Sequence, residues 1–201
     1  MTDERLSLDE SRGPAATPGQ VRSVCVFCGS APGRQAHFVE AARVTGRLLA
    51  QSGIALVYGG GHIGMMGAVA DAALAAGGRV TGVIPQHLMR PEVAHQGLTE
   101  LIVVESMHQR KRLMADRADA FLVLPGGYGT LEETFEMVTW LQLGLHRKPV
   151  ALINVDGYFD PLLRWIHQAV DSGFVRPGQA HLLQAEGTPE LALARLLAQH
   201  G

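Results

Sequence analysis

The sequence predicts an α/β fold, a single-domain doubly wound (Rossmann-like) parallel sheet with helices on both faces. Three observations lead to this prediction. Short apolar runs alternate with segments of helical periodicity, each run is apolar throughout, and glycine-rich turns follow several of the runs. A strand covered by helices on both faces has no side that meets water. Continuous apolar runs are therefore typical of parallel sheets.

In chain order, each predicted strand is an apolar run and each predicted helix is a periodic segment that follows it. The strands are predicted at 22–28, 54–58, 79–84, 101–104, 120–124 and 149–154. The helices are predicted at 36–51, 64–76, 107–118, 130–145, 158–172 and 188–199. No internal repeat or linker divides 21–201, which we expect to be one domain. We expect 1–20 to be a disordered tail, because it combines prolines with acidic and small residues.

Composition and charge are those of an ordinary soluble globular protein. Hydrophobic residues make up 47% of the chain and charged residues 18%. Seventeen basic and nineteen acidic residues give a net charge of −2, so there is no electrostatic basis for binding nucleic acid or an anionic membrane. No apolar run approaches the roughly 18–20 residues that span a bilayer, and the N-terminus lacks the apolar segment of a signal peptide. We expect a cytoplasmic protein.

Cys25 and Cys28 form a C-x-x-C pair, a spacing found in redox and metal sites. Both lie in the predicted strand 22–28, where residues three apart point to opposite faces. No second cysteine pair completes a zinc site, so we expect two buried, inert thiols. The histidines near the strand ends do not fall at metal-ligand spacing: His62, His87, His95 and His108. No metal site is predicted.

Glycine-rich turns follow the first, second and fifth predicted strands, at 29–33, 59–67 and 125–133. Because the carboxyl ends of parallel strands meet at one edge of a sheet, these turns should lie together. Free N–H groups and the dipole at the start of the following helix favour an anion such as phosphate. A nucleotide-sized, phosphate-bearing ligand is predicted. The turn at 59–67 alone is equally explained by a tight turn and close helix–sheet packing.

Thr130 and Glu133 have a structural explanation of their own. They fit a capping box, with Thr130 as the N-cap and Glu133 reaching back to it, worth about 1 kcal/mol. This role is compatible with catalysis, because a capped carboxylate has a fixed position. Three cations, 110–112, lie near the start of the helix 107–118, where they oppose the helix dipole. They form either a solvated basic face or a functional site, and we favour function for Arg110, which shares a helix face with Met107 and Met114.

Two motifs together resemble those of the Lonely Guy (LOG) family of cytokinin riboside 5′-monophosphate phosphoribohydrolases. They are Met-His-x-Arg-Lys at 107–111 and Pro-Gly-Gly-x-Gly-Thr-x-x-Glu at 125–133, and the resemblance covers about 22–175. It implies hydrolysis of the N-glycosidic bond of an adenosine 5′-monophosphate, plain or N6-modified, to the free base and ribose 5-phosphate. It also implies a homodimer or larger homo-oligomer that needs no metal and no organic cofactor.

Carried over by position, the resemblance makes Arg110 and Glu133 the catalytic pair. The substrate-binding positions that it implies are Gly29, Ser30, Gly60, Glu92, Lys111, Gly126, Gly127, Tyr128, Gly129, Thr130, Leu131, Glu132 and Thr139. Glycosidic cleavage passes through a state with positive charge at the anomeric carbon. We expect Glu133 to stabilise that charge and to orient water, and Arg110 to keep Glu133 ionised.

Two other functions compete with this interpretation. Homologues of the fold carry a lysine decarboxylase label, but pyridoxal phosphate chemistry needs a Schiff-base lysine, and Lys111 and Lys148 lie in no predicted cofactor pocket. The serious alternative is a non-catalytic carrier of a nucleotide or of the molybdenum cofactor (a pterin). The presence of both Arg110 and Glu133 favours the enzyme. The sequence leaves open the preferred base and the group that protonates it.

Overall fold

A computed structural model describes residues 20–90 and 93–199, and within these ranges seven parallel strands form one sheet. The strands are β1 (Ser23–Phe27), β2 (Ala55–Tyr58), β3 (Val80–Pro85), β4 (Glu100–Val104), β5 (Ala120–Val123), β6 (Val150–Ile153) and β7 (Leu183–Glu186). The α-helices are α1 (Ala36–Gln51), α2 (Gly64–Ala75), α3 (Met107–Arg117), α4 (Tyr128–Gln142), α5 (Asp160–Asp171) and α6 (Pro189–Ala198). Short 3-10 turns occupy Gln86–Leu88, Val155–Gly157 and Pro177–Leu182.

The strand order is β4-β3-β2-β1-β5-β6-β7, and every neighbouring pair is parallel. The chain winds outward from β1 to β4, crosses back to β5 on the other side of β1, and then winds outward to β7. The order therefore reverses between β1 and β5, and in such sheets the crevice at the reversal point is where ligands bind. The predicted doubly wound α/β fold is confirmed.

Alternate residues of the strands belong to two separate hydrophobic cores, one on each face of the sheet. In β5, Leu122 packs with residues of α1, α2 and α6, whereas Phe121 packs with residues of α3, α4 and α5. Cys25 belongs to the second core and Cys28 to the first, and both are buried free thiols. The predicted opposite orientation of the two cysteines is confirmed.

The sequence prediction missed β7 and misplaced the start of two helices. β7 is an edge strand in which only Leu183 is fully buried, so it lacks the apolar run by which the other strands were recognised. The helix predicted from 158 begins at Asp160, because the 3-10 turn with Asp156 at φ 51° precedes it. The helix predicted from 130 begins at Tyr128.

Some of the predicted features lie outside the residues that the structure describes. Apart from Gln20, the predicted tail 1–20 lies outside the described residues, as does Glu92. Within 20–90 and 93–199, no helix has both the length and the apolarity that crossing a bilayer requires.

The core contains one polar atom whose removal should stabilise the protein. Tyr58 is fully buried, and its hydroxyl has no hydrogen-bond partner among the described residues. A buried hydroxyl that loses water without gaining a partner costs about 1–3 kcal/mol. We expect Tyr58→Phe to raise the free energy of unfolding by about 1 kcal/mol in urea denaturation.

The matched control is Thr45→Val in the same core. The Thr45 hydroxyl is buried but donates to the Ala41 carbonyl at 2.8 Å. Its removal loses a hydrogen bond, so no stability should be gained. Equal changes in the two variants would show that the Tyr58 hydroxyl has found a partner in solution.

Candidate active site

Helix α4 begins directly after the glycine-rich turn at the end of β5, and no side chain caps it. Gly127 is the N-cap, with extended backbone angles, and its carbonyl accepts from the Leu131 N–H at 3.1 Å. The predicted capping box is therefore wrong. Thr130 is the third residue inside the helix and is buried, so its side chain is unavailable as an N-cap. Within the described part of the chain, the N–H groups of 127–130 have no hydrogen-bond partner.

The turns after β1 and β5 touch at the reversal point of the sheet. The Gly29 N–H donates to the Pro125 carbonyl at 3.0 Å. A Cβ on Gly126 would lie 2.1 Å from Thr130 Oγ1 and 2.8 Å from the Gly29 nitrogen. Only glycine fits at position 126, and its presence allows the two turns to close on each other.

Arg110 lies on α3 with its guanidinium buried at the same edge of the sheet. Its Nε donates to the Val83 carbonyl at 3.0 Å, and its Nη2 donates to the Gly59 carbonyl at 3.1 Å. A Cβ on Gly59 would lie 1.9 Å from Nη2, so Gly59 makes room for the arginine. The third nitrogen, Nη1, lies 3.4 Å from Glu133 Oε1. The structure thus brings the predicted catalytic pair together.

The other glycines of the 59–67 turn serve packing. A Cβ on Gly64 would lie 2.2 Å from the Ser30 carbonyl oxygen, and one on Gly67 would lie 1.9 Å from that of His62. Gly60 has φ 76°, and its carbonyl accepts from the His95 N–H at 2.9 Å. The sequence left two interpretations of this turn, ligand binding and close packing, and close packing accounts for these contacts.

Glu133 projects from the second turn of α4 and is 9% exposed. Burial raises the pKa of its carboxyl to about 7, although the Arg110 guanidinium lowers it. The neighbouring Glu132 carboxylate adds to the rise, and the Lys111 ammonium opposes it. Arg110 favours the ionised form of Glu133, as expected, but desolvation outweighs the ion pair and the pKa stays raised. Near pH 7 the group exchanges its proton readily.

A second ion-pair group lies beside the first and joins the same two helices. The Lys111 ammonium is buried, donates to Glu132 Oε1, and lies 3.1 Å from Glu136 Oε2. Burial acts to lower the pKa of Lys111, but its bonds to Glu132 and Glu136 outweigh burial and raise that pKa. Lys111 and Glu132, both predicted to contact substrate, bind each other in this structure.

Of the remaining predicted positions, most lie near the turns after β1 and β5, and one lies farther along α4. Gly29 and Ser30 lie in the turn after β1, and the Tyr128 side chain is 95% exposed at the start of α4. Leu131 is half-buried against the core. Thr139 is exposed farther along α4, roughly 13 Å from Thr130 along the helix axis, so it does not reach the site of its own chain.

A further residue at the site was not among the predicted positions. The Tyr158 hydroxyl donates to the Gly126 carbonyl at 2.6 Å. The signal was present, because Asn154–Tyr158 belongs to the sequence stretch that resembles the LOG family. This contact was not predicted because its acceptor is a backbone carbonyl, and every residue has one, so the sequence does not indicate which residue pairs with Tyr158.

A cavity of about 580 Å³ lies in the groove between α1 and α2, and Pro32, His62 and Gly64 of two glycine-rich turns also line it. It is lined by Arg43, Arg47, Asp71 and several alanines, and neither Arg110 nor Glu133 reaches it. Glu40 pairs with both arginines, which reduces the charge available to a ligand there. Across 20–90 and 93–199, no group of three or more histidine, cysteine or acidic side chains is placed to hold a metal ion.

Comparison with known proteins gives the family. Residues 66–196 match a family model described as "Possible lysine decarboxylase". A protein of Oryza sativa subsp. japonica, named as a probable cytokinin riboside 5′-monophosphate phosphoribohydrolase, is 49% identical over 90% of this chain and 73% of its own length. A cytokinin riboside 5′-monophosphate phosphoribohydrolase of Rhodococcoides fascians is 54% identical over 78% of this chain and 79% of its own. The chain belongs to the LOG family.

More distant structures share the fold alone. The molybdenum cofactor binding protein of Rippkaea orientalis superposes with a TM-score of 0.69 at 19% identity, over 90% of this chain and 99% of that chain. The likeness confirms the Rossmann-like sheet and says nothing about the ligand.

The decarboxylase description of the family model does not fit the two lysines of the chain. Lys111 is held by Glu132 and Glu136, and the Lys148 ammonium donates to the Ala115 carbonyl at 2.6 Å. A Schiff base with pyridoxal phosphate requires an accessible lysine.

The raised pKa of Glu133 should be visible in the stability of the protein. The carboxyl has a folded-state pKa of about 7 and an ordinary value near 4.5, so folding favours its protonated form. Stability from this group is fully present below about pH 4.5 and is lost as the pH rises through 7, by about 3 kcal/mol in all. Glu133→Gln removes this loss. Urea denaturation should show the variant gaining stability relative to wild type between pH 5 and pH 8.

The comparison with wild type at each pH cancels the titration of groups that do not interact with Glu133. A constant difference between the two proteins across this range would mean that Glu133 has the same pKa folded and unfolded.

Proposed function

We propose that the chain is a phosphoribohydrolase that cleaves the N-glycosidic bond of adenosine 5′-monophosphates, plain or N6-modified, to give the free base and ribose 5-phosphate. The observation that carries this proposal is the buried Arg110–Glu133 pair beside the unpaired N–H groups that open α4. It occurs in a chain about half identical to proteins named for that activity.

The start of α4 is proposed to bind the 5′-phosphate. A Cβ on Gly127 or Gly129 would meet nothing within 4 Å, and neither residue has a positive φ. Neither packing within the chain nor backbone conformation requires glycine at these two positions. A ligand that approaches the backbone closely would require it. Four free N–H groups and the helix dipole favour an anionic group there.

Glu133 is proposed to act on the sugar. It follows Tyr128 by five residues, about 7 Å along the helix axis, which is on the scale of one ribose 5-phosphate unit. In the reaction the bond between the anomeric carbon and the base nitrogen breaks, its electron pair leaves with the base, and a water oxygen bonds to that carbon. The departing base takes up one proton from solvent, which balances the proton that the water loses. The Glu133 carboxylate stabilises the positive charge at the carbon and accepts a proton from the water.

Arg110 is proposed to be a fixed cation beside the ribose. Two of its nitrogens are occupied by the Val83 and Gly59 carbonyls, so only Nη1 faces Glu133 and the open edge. A guanidinium fixed in this way orients the carboxylate and contacts ribose or phosphate oxygens without losing side-chain entropy on binding. The other predicted substrate contacts except Thr139, Glu92 among them, are proposed to surround this pair.

We further propose a cytoplasmic homodimer or larger homo-oligomer, with no nucleic-acid or membrane partner. Support comes from large apolar side chains that are exposed in α4 and α5 or just after them: Tyr128, Leu143, Leu145, Trp165 and Phe174. Exposed apolar patches of this kind are typical of protein interfaces. Thr139 is also exposed on α4, and in an oligomer it would serve the neighbouring site instead of its own.

Direct assay decides between this activity and the carrier function. Purified protein incubated with AMP or with isopentenyladenosine monophosphate should release free base, detected by chromatography. The two values of kcat/KM would also identify the preferred base. Nucleotide binding without release of base from either compound would support the carrier function instead.

The pH dependence of the reaction should follow Glu133. Its carboxylate is the reactive form, so kcat/KM should rise as the pH increases through about 7, the value to which burial raises the pKa of Glu133 in the free protein. Glu133→Gln should lower kcat by about 10²–10⁴-fold and remove this dependence.

Glu190→Gln is the matched control, because it makes the same chemical change on the exposed side of α6, away from the site. Its activity should equal that of wild type. Activity retained by Glu133→Gln would exclude Glu133 as the base.

A further inference from the structure

Tyr158 connects the segment after β6 to the proposed phosphate-binding turn. Its hydroxyl donates to the Gly126 carbonyl at 2.6 Å. Its ring packs edge-on against Phe38, with centroids 5.5 Å apart, and against Phe159 at 5.0 Å. The ring is therefore held by packing, and the hydroxyl is free to fix the carbonyl.

The peptide that Tyr158 contacts has an orientation that neighbouring side chains hardly restrict. It joins Gly126 to Gly127, and a glycine on each side leaves its rotation almost unrestricted by side chains. The preceding peptide is already held, because the Pro125 carbonyl accepts from the Gly29 N–H. Among the described residues, the Tyr158 hydroxyl is the one hydrogen-bond donor to the Gly126 carbonyl.

The contact of Tyr158 with the Gly126 carbonyl also fixes the direction of the Gly127 N–H. In a planar trans peptide the carbonyl and the following N–H point in opposite directions. Because the Gly126 carbonyl points to Tyr158, the Gly127 N–H points away from it. Gly127 is the N-cap of α4, so this N–H is the first of the unpaired groups proposed to bind phosphate. A flipped peptide would replace this donor with a carbonyl oxygen and repel the anion.

We propose that Tyr158 is a positioning residue that orients the Gly126–Gly127 peptide and thereby strengthens binding of the 5′-phosphate. The inference rests on the proposed function. It assigns part of the preference for a nucleoside 5′-monophosphate over a nucleoside to a hydroxyl that need not touch the substrate.

The turn that carries Tyr158 is strained, which supports a functional origin. Asp156 has φ 51° and is the only described residue other than glycine with a positive φ. Asn154 holds the turn: its Oδ1 accepts from the Phe159 N–H at 2.7 Å, and its Nδ2 donates to Asp160 Oδ1 at 2.8 Å. Unfavourable backbone angles that are held by surrounding bonds concentrate at functional sites.

The experiment measures phosphate-dependent binding in the full chain. Isothermal titration gives Kd for ribose 5-phosphate and for adenosine with wild type, Tyr158→Phe and Tyr58→Phe, and kcat/KM is measured for AMP. Tyr158→Phe keeps the ring and removes the hydroxyl. It should weaken ribose 5-phosphate binding and lower kcat/KM for AMP, each by about three- to tenfold, and leave the Kd of adenosine unchanged.

Tyr58→Phe is the matched control, since it deletes a tyrosine hydroxyl from the core on the α1 and α2 face, and it should match wild type for both ligands. A second variant, Gly157→Ala, moves the hydroxyl without removing it. The new Cβ would lie 2.7 Å from Asp160 Oδ2 at a residue with φ 70°. It should reproduce the selective loss for ribose 5-phosphate.

Unchanged ribose 5-phosphate binding in Tyr158→Phe would overturn the inference, and so would an equal loss for ribose 5-phosphate and adenosine. Failure of the proposed function has a different signature, because wild type would then release no base from AMP. The binding comparison still tests Tyr158 in that case, since ribose 5-phosphate needs no turnover.

Discussion

The Arg110 guanidinium is the constraint on which the site depends. It reaches from α3 to the ends of two strands, bonding the Gly59 carbonyl after β2 and the Val83 carbonyl in β3. Its remaining nitrogen faces Glu133 on α4. One side chain therefore sets the position of a helix, two strand ends and the acidic group. Residue 59 must be glycine, because a Cβ would occupy the place of Nη2.

The electrostatics of the site follow from the number of charges placed between α3 and α4. Three carboxylates, Glu132, Glu133 and Glu136, face two cations, Arg110 and Lys111. Lys111 binds Glu132 and Glu136, so Arg110 is the cation paired directly with Glu133, which lies in a desolvated position. Burial then prevails and raises the pKa of Glu133 to about 7. These carboxylates also explain why cations are tolerated at the start of α3, where the helix dipole disfavours them.

The sequence was sufficient for those features that depend on local pattern. Apolar runs located six strands, and paired motifs located Arg110 and Glu133. Features that depend on tertiary contact escaped it. The edge strand β7 has one fully buried residue, Leu183, and so carries no apolar run. The Thr130 capping box failed because Gly126 lets Thr130 pack inside the turn, with α4 starting two residues earlier. Sequence patterns do not record how closely two backbones approach.

The glycines at this edge of the sheet differ in whether the protein itself requires them. Gly59 and Gly126 are required by protein atoms that would collide with a Cβ. A Cβ on Gly127 or Gly129 would meet no atom of the chain within 4 Å, so packing does not require these two glycines. The first pair builds the edge and the second pair leaves it accessible. The Tyr158 hydroxyl bonds the peptide between the two pairs, so under the proposed function the phosphate side of the site would be oriented by the fold before substrate binds.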